Sequence, residues 1–228
     1  PTTGWTPSIG QYILKATPWA SNITSGITST IGFNFFNGQI TASASTFYAS
    51  PIGGGNGRTV QSPFKISDFW SIAVPGSQLC LLSGRYTGTQ SMILPPEGLS
   101  GTSTKPIRIY ANIDGNVEID GQSLNKPCEL RYNNFFIIEG INMHHPGGEG
   151  NSNNVCNVIY SDDFIIRRCI GWEAQSGDTN IFRTQHSKRT KFIDCAAWGT
   201  ARKPFSNSQG GDDTLFIRCF ARWEGSTQ

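Results

Sequence analysis

Phe136-Ile137-Ile138-Glu139-Gly140-Ile141, Ile165-Ile166-Arg167-Arg168-Cys169-Ile170, Lys191-Phe192-Ile193-Asp194-Cys195-Ala196 and Leu215-Phe216-Ile217-Arg218-Cys219-Phe220 can be laid over one another. Their anchors fall at residues 140, 169, 195 and 219, at steps of 29, 26 and 24 residues. The runs Leu79-Cys80-Leu81-Leu82 and Ile107-Arg108-Ile109-Tyr110 extend the series backwards. A period of this size is the mark of a solenoid. Helical repeats would need long 3.6-period segments rich in Ala, Leu, Glu and Lys. The intervening residues are instead Gly, Asn, Ser, Asp and Thr, around short runs such as Asn157-Val158-Ile159-Tyr160 and Asn180-Ile181-Phe182-Arg183. Short strands punctuated by turn formers predict a parallel β-solenoid with rungs about 4.8 Å apart.

The columns of the stack predict what faces inward. Ile137, Ile166, Phe192 and Phe216 form one core column, and the anchors Gly140, Cys169, Cys195 and Cys219 a second. Asn142, Gly171, Ala197 and Ala221 are all small and read as a tight bend, while Arg167, Asp194 and Arg218 point outward or into loops. The six cysteines admit disulfides. Stacked Cβ atoms, however, sit near the rung spacing, longer than the roughly 3.8 Å a disulfide prefers. Cys169, Cys195 and Cys219 are therefore expected as a buried thiol ladder, with disulfides the alternative. Cys80, Cys128 and Cys156 show no common register.

Composition narrows the class. Only 37% of residues are hydrophobic and 15% charged, with 26 glycines, a profile that suits a thin-cored secreted β protein. A net charge of +2 gives no reason to expect nucleic acid as a partner, and no apolar run is long enough for membrane insertion. No phosphate loop or dinucleotide fingerprint is present, so no nucleotide or redox cofactor is expected. Residues 1–46 lack the period and form an N-terminal segment; residues 47–228 form the solenoid domain. In the segment, residues 31–36 and 39–43 around Asn37-Gly38 read as a β-hairpin. Trp5, Tyr12, Ile13, Leu14 and Trp19 need apolar cover, which makes the segment a candidate clasp between subunits.

Residues 47–88 run from Phe47-Tyr48-Ala49-Ser50-Pro51 through Gly53-Gly54-Gly55-Asn56-Gly57, Ser62-Pro63-Phe64-Lys65-Ile66 and Pro75-Gly76-Ser77 to Ser83-Gly84-Arg85-Tyr86-Thr87-Gly88. With residues 101–110 and 117–121, this resembles the right-handed parallel β-helix proteins of the pectate-lyase-like superfamily, over about residues 47–223. Ser77 stands where that pattern has Asp. The resemblance implies an all-β right-handed parallel β-helix of about 6–7 coils. A helix over Ser67–Ala73 would plug its first coil with Phe64, Ile66, Phe69, Trp70 and Ile72. The superfamily includes lyases, hydrolases, phage tailspikes and non-enzymatic surface proteins, so it does not by itself fix a function.

Polysaccharide lyases resembling this chain neutralise a uronate carboxylate, with Ca²⁺ held by carboxylates, and use a Lys or Arg base. Asp162 and Asp163, then Lys188 and Arg189, then Asp212 and Asp213 fall at one offset before successive anchors, with Arg202 and Lys203 nearby. Lys188, Arg189 and Lys203 are the candidate catalytic cations, and Asp162, Asp163, Asp212 and Asp213 the candidate Ca²⁺ ligands. The alternative is a solvated column of compensating charges. Trp172, Trp198 and Trp223 recur after the anchors, as a sugar-stacking column or a lateral packing stripe. His144 and His145 are adjacent on a strand and should point to opposite faces, which argues against joint metal binding.

Two functions follow. One is an extracellular structural or assembly protein, a fibre, filament or adhesin component that self-associates through uncapped β-helix ends, since no cap follows Phe220-Ala221-Arg222-Trp223-Glu224. This is the reading the sequence favours, and it needs no enzyme activity or cofactor. The alternative is a pectate-lyase-like uronate polysaccharide lyase, or a carbohydrate-binding β-helix module, with polysaccharide as partner.

Overall fold

The computed structural model describes residues 10–16, 29–35, 46–147, 154–174 and 179–225. The chain divides into two units, Pro1–Ser43 and Ala44–Gln228. In the first, Gly10–Ala16 pairs antiparallel with Ser29–Phe35, placing Tyr12 opposite Phe33. The strand expected to open a hairpin at Asn37-Gly38 is thus paired with an upstream strand, and residues 39–43 lie outside the described residues, as do Trp5 and Trp19.

The second unit is built from three parallel sheets. The long sheet stacks seven strands, Thr46–Ala49, Gln78–Leu81, Ile107–Ala111, Phe136–Glu139, Ile165–Arg167, Lys191–Ile193 and Leu215–Ile217. The second sheet stacks six, from Gly84–Tyr86 and Val117–Asp120 through Ile141–His144, Ile170–Trp172 and Ala196–Gly199 to Phe220–Trp223. The third has four: Cys128–Arg131, Cys156–Ile159, Asn180–Gln185 and Lys203–Ser208. The coil count falls short of the expected six to seven, at about five turns: the long sheet has seven strands, but among the described residues four complete the third side. The plug is shorter than expected. It is a single turn, Ile66–Phe69, that buries both its end residues beside Phe64, while Ile72 is partly exposed.

Each rung alternates inward and outward, and the inward positions are apolar. Ile138, Ile166, Phe192 and Phe216 are in register. Phe192 is fully buried and stacks on Phe216 at 5.2 Å. Ile138 therefore takes the place expected for Ile137. The second inward column is Ile141, Cys169, Cys195 and Cys219, not one headed by Gly140. The slip has one cause. Gly140 has φ +73 and shares its column with Arg168, Asp194 and Arg218, at +52, +55 and +49. That left-handed column is the tight bend between the long and second sheets. The small column expected to bend is buried instead, with Gly171 and Ala197 inside and Met143 at its head.

Non-glycine residues pay roughly 1–2 kcal/mol to turn left-handed. Here the bend residues are tied to neighbouring coils. Arg168 and Asp194 donate their backbone N–H groups to the Ile193 and Ile217 carbonyls, and the Arg218 guanidinium pairs with Asp194 at 2.8 Å. All six cysteines are free. The thiols of Cys169, Cys195 and Cys219 donate to backbone carbonyls of their own and the preceding coil, as a buried thiol ladder should. Cys128 and Cys156 do share a register, one directly above the other in the third sheet.

Candidate functional site

The outward face of the long sheet carries a second column, Gln78, Arg108, Ile137, Ile165, Lys191 and Leu215, one residue per strand over six strands. At about 4.8 Å per rung, that is roughly 24 Å along the solenoid axis. Two hollows of about 610 and 530 Å³ lie over it and meet at Pro106 and Ile137, forming one axial groove. The loop Thr102–Pro106 and the corner residues Phe135, Asp163, Arg189 and Asp213, with φ between +55 and +58, line the edge from which the long-sheet strands start. Ile137, Ile165 and Leu215 give the floor apolar patches, and the cations Lys105, Arg108, Arg189 and Lys191 outnumber Asp163 and Asp213.

The charged residues have distinct surroundings. Arg189 grips Asp163 with both ends of its fork, at 2.7 and 2.8 Å, which holds the carboxyl below the usual carboxylate range and keeps the guanidinium more firmly protonated than usual. Arg189 cannot serve as a base in that state. Lys188 donates its backbone N–H to Asp162 at 2.8 Å and places Nζ 3.5 Å from Asp212, outside the groove lining. Lys203 begins a strand of the third sheet, on another face. Lys191 has no ion-pair partner among the described residues and sits on the groove floor between Ile165 and Leu215. At one end of the floor column, Arg108 converges with Arg167 and Arg168 on the buried Glu139 carboxylate. The Arg108 and Arg167 bonds are 2.9 and 2.8 Å, and this fixes Arg108 at the groove edge.

Calcium takes six to eight oxygen ligands. Of the four candidate carboxylates, Asp163 is occupied by Arg189, Asp162 by the Lys188 N–H and Arg189, and Asp212 by Lys188. The column therefore alternates in charge, with the fourth carboxylate, Asp213, on the groove wall.

No family model matches the chain, and no curated protein sequence matches it. Solved structures do. A pectate lyase, Pel9A, superposes with a TM-score of 0.59 at 16% identity, over 76% of this chain and 46% of the lyase. The chain folds as a parallel β-helix and shares that fold with this lyase. It spans less than half the length of that lyase. An alginate lyase from Paenibacillus sp. str. FPU-7 covers 77% of this chain and 66% of its own at 15% identity, with a TM-score of 0.47.

The tryptophan column of this β-helix is on the second sheet. His144, Trp172 and Trp198 are in register, with rings 4.3 and 5.5 Å apart and planes within 10° and 5° of parallel. Each ring is stacked along the axis, so Trp172 has a neighbour over both faces and turns only its edge to solvent. A sugar needs an aromatic face. The arrangement fits the packing-stripe reading. Trp223 is not in the column: it lies opposite Gly199, Arg222 takes the place beside Trp198, and the indole donates to the Ala201 carbonyl at 2.6 Å. Reading by sequence passed over Lys105, Arg108 and Lys191. Lys191 was accessible, since it directly precedes the inward Phe192 and alternation turns it outward.

Proposed function

We propose that this chain belongs to an extracellular protein that binds a linear uronate polysaccharide along the long-sheet groove and cleaves it by β-elimination. The continuous, net-cationic, six-strand groove carries the reading. A polymer lying along the axis would set sugar faces on Ile137, Ile165 and Leu215 and carboxylates against Lys105, Arg108 and Arg189. Lys191 would take the proton next to the uronate carboxyl. The electron pair left behind forms the ring double bond as the glycosidic C–O bond breaks, and the leaving oxygen gains a proton from water. That a pectate lyase shares the fold agrees with this reading. The test is incubation with polygalacturonate and with alginate, reading the ultraviolet absorbance of unsaturated products and retardation in polymer-loaded gels. If both polymers stay uncut and unbound, the reading is wrong.

One observation favours assembly as a second reading. Leu215, Phe216, Phe220 and Trp223 on the last described rung are between 44% and 59% exposed, whereas Phe192 one rung earlier is at 0%. Further coils or a second copy would cover them. Filaments in electron micrographs of the purified chain would support self-association, and a monodisperse monomer would remove it.

A further inference from the structure

The outer face of the second sheet holds a cluster that polymer binding does not use. Asp120 and His144 end neighbouring strands and lie directly opposite each other. Strand alternation should send His145 to the far side. It does not, because His145 has φ +47; the left-handed turn ends the strand and returns its ring to the side of His144, with centroids 4.3 Å apart. Three donor atoms converge. His144 Nδ1 is 2.8 Å from His145 Nδ1, and Asp120 Oδ1 is 3.4 Å from His145 Nδ1 and 3.8 Å from His144 Nδ1. Tetrahedral Zn²⁺ with ligands at about 2.0–2.1 Å sets those ligands about 3.3 Å apart, and the observed triangle brackets that spacing.

The surroundings prepare His144 as a ligand. Its Nε2 lies 2.8 Å from Glu118 Oε1. An ionised carboxylate only accepts, so Nε2 carries the proton and Nδ1 presents its lone pair to the triangle. A carboxylate behind an imidazole is how proteins orient metal-binding histidines. Trp172 stacks over the ring and fixes its plane. Asp120 is buried, and Arg85 occupies its Oδ2. Its Oδ1 accepts only the Gln122 N–H among the hydrogen bonds of the described residues, at 2.8 Å. Without an ion, His145 Nδ1–H donates to His144 Nδ1. Binding moves that proton to Nε2 of His145, a side chain 39% exposed.

We propose that Asp120, His144 and His145 bind a divalent first-row transition ion of the Zn²⁺ class, with its fourth position open to solvent. Two imidazoles and one carboxylate suit such an ion and not Ca²⁺ or Mg²⁺, which prefer all-oxygen shells. Glu118 is a positioning residue.

The experiment titrates the intact chain with Co²⁺ as an optical probe, then with Zn²⁺ in competition. One equivalent of Co²⁺ should develop the visible bands of a tetrahedral site, Zn²⁺ should abolish them, and excess Ca²⁺ should leave them unchanged. His145→Ala, at an exposed position that leaves the ladder in place, should remove the bands while near-ultraviolet circular dichroism stays native. Glu118→Gln should weaken Zn²⁺ about 10–100-fold. No saturable Co²⁺ spectrum, or an undiminished one in His145→Ala, overturns the proposal and leaves a hydrogen-bonded pair of histidines.

Discussion

The outer faces of the long and second sheets obey the same repeat and come out opposite. Both present one side chain per coil in register. On the second sheet the column is aromatic, so its members stack on one another and use up their binding faces. On the long sheet the column mixes Arg108, Ile137, Ile165, Lys191 and Leu215, which cannot satisfy one another and leave a groove. In a solenoid, a column of like residues tends to stabilise the stack, and a column of unlike residues is where a ligand can be accommodated.

The largest expected effect lies in the core that both faces share. Phe192→Ala should cost about 3–5 kcal/mol in denaturant unfolding, as full aromatic truncations do. A loss below 1 kcal/mol would mean that the column lines something other than core. Trp172→Ala tests the closed face: it should cost about 1–3 kcal/mol through two lost ring contacts and some buried area, with polymer binding unchanged. Lost polymer binding there would collapse the contrast between the faces. Lys191→Ala is the converse, with stability within about 0.5 kcal/mol of the parent but gel retardation by polygalacturonate sharply reduced and cleavage abolished. The smallest effect belongs to Arg189→Gln. Asp163 has a depressed folded-state pKa, so its pair with Arg189 contributes fully above the ordinary aspartate range and fades as pH falls through the lowered value. Acid unfolding of the variant should therefore show less pH dependence below about pH 4, and added salt should shrink the difference between the two proteins.

The repeat of apolar pairs and anchors was enough to place the parallel β-solenoid, because strand alternation and coil period are both written into single residues such as Phe192 and Cys195. Its frame slipped at Gly140, where a glycine looked like an anchor and is a left-handed bend. Half of the candidate site was visible. Arg189 and Asp163 do line the groove, but Lys188 and Lys203 leave it, since a common offset before an anchor does not say which way a corner residue turns. The His144–His145 pairing was hidden for the same reason: it depends on one positive φ at a residue that is not glycine.

The thiol ladder makes the molecule its own probe of fraying. Burial pushes the Cys195 thiol up to about 12 and the Cys169 thiol well above its usual value, so neither is an available thiolate at neutral pH. Cys219, half-buried one coil further on, is the accessible member. Alkylation followed by mass spectrometry should mark Cys219 first, then Cys195, then Cys169, and the lag between successive marks would time how fast one coil opens after its neighbour has gone.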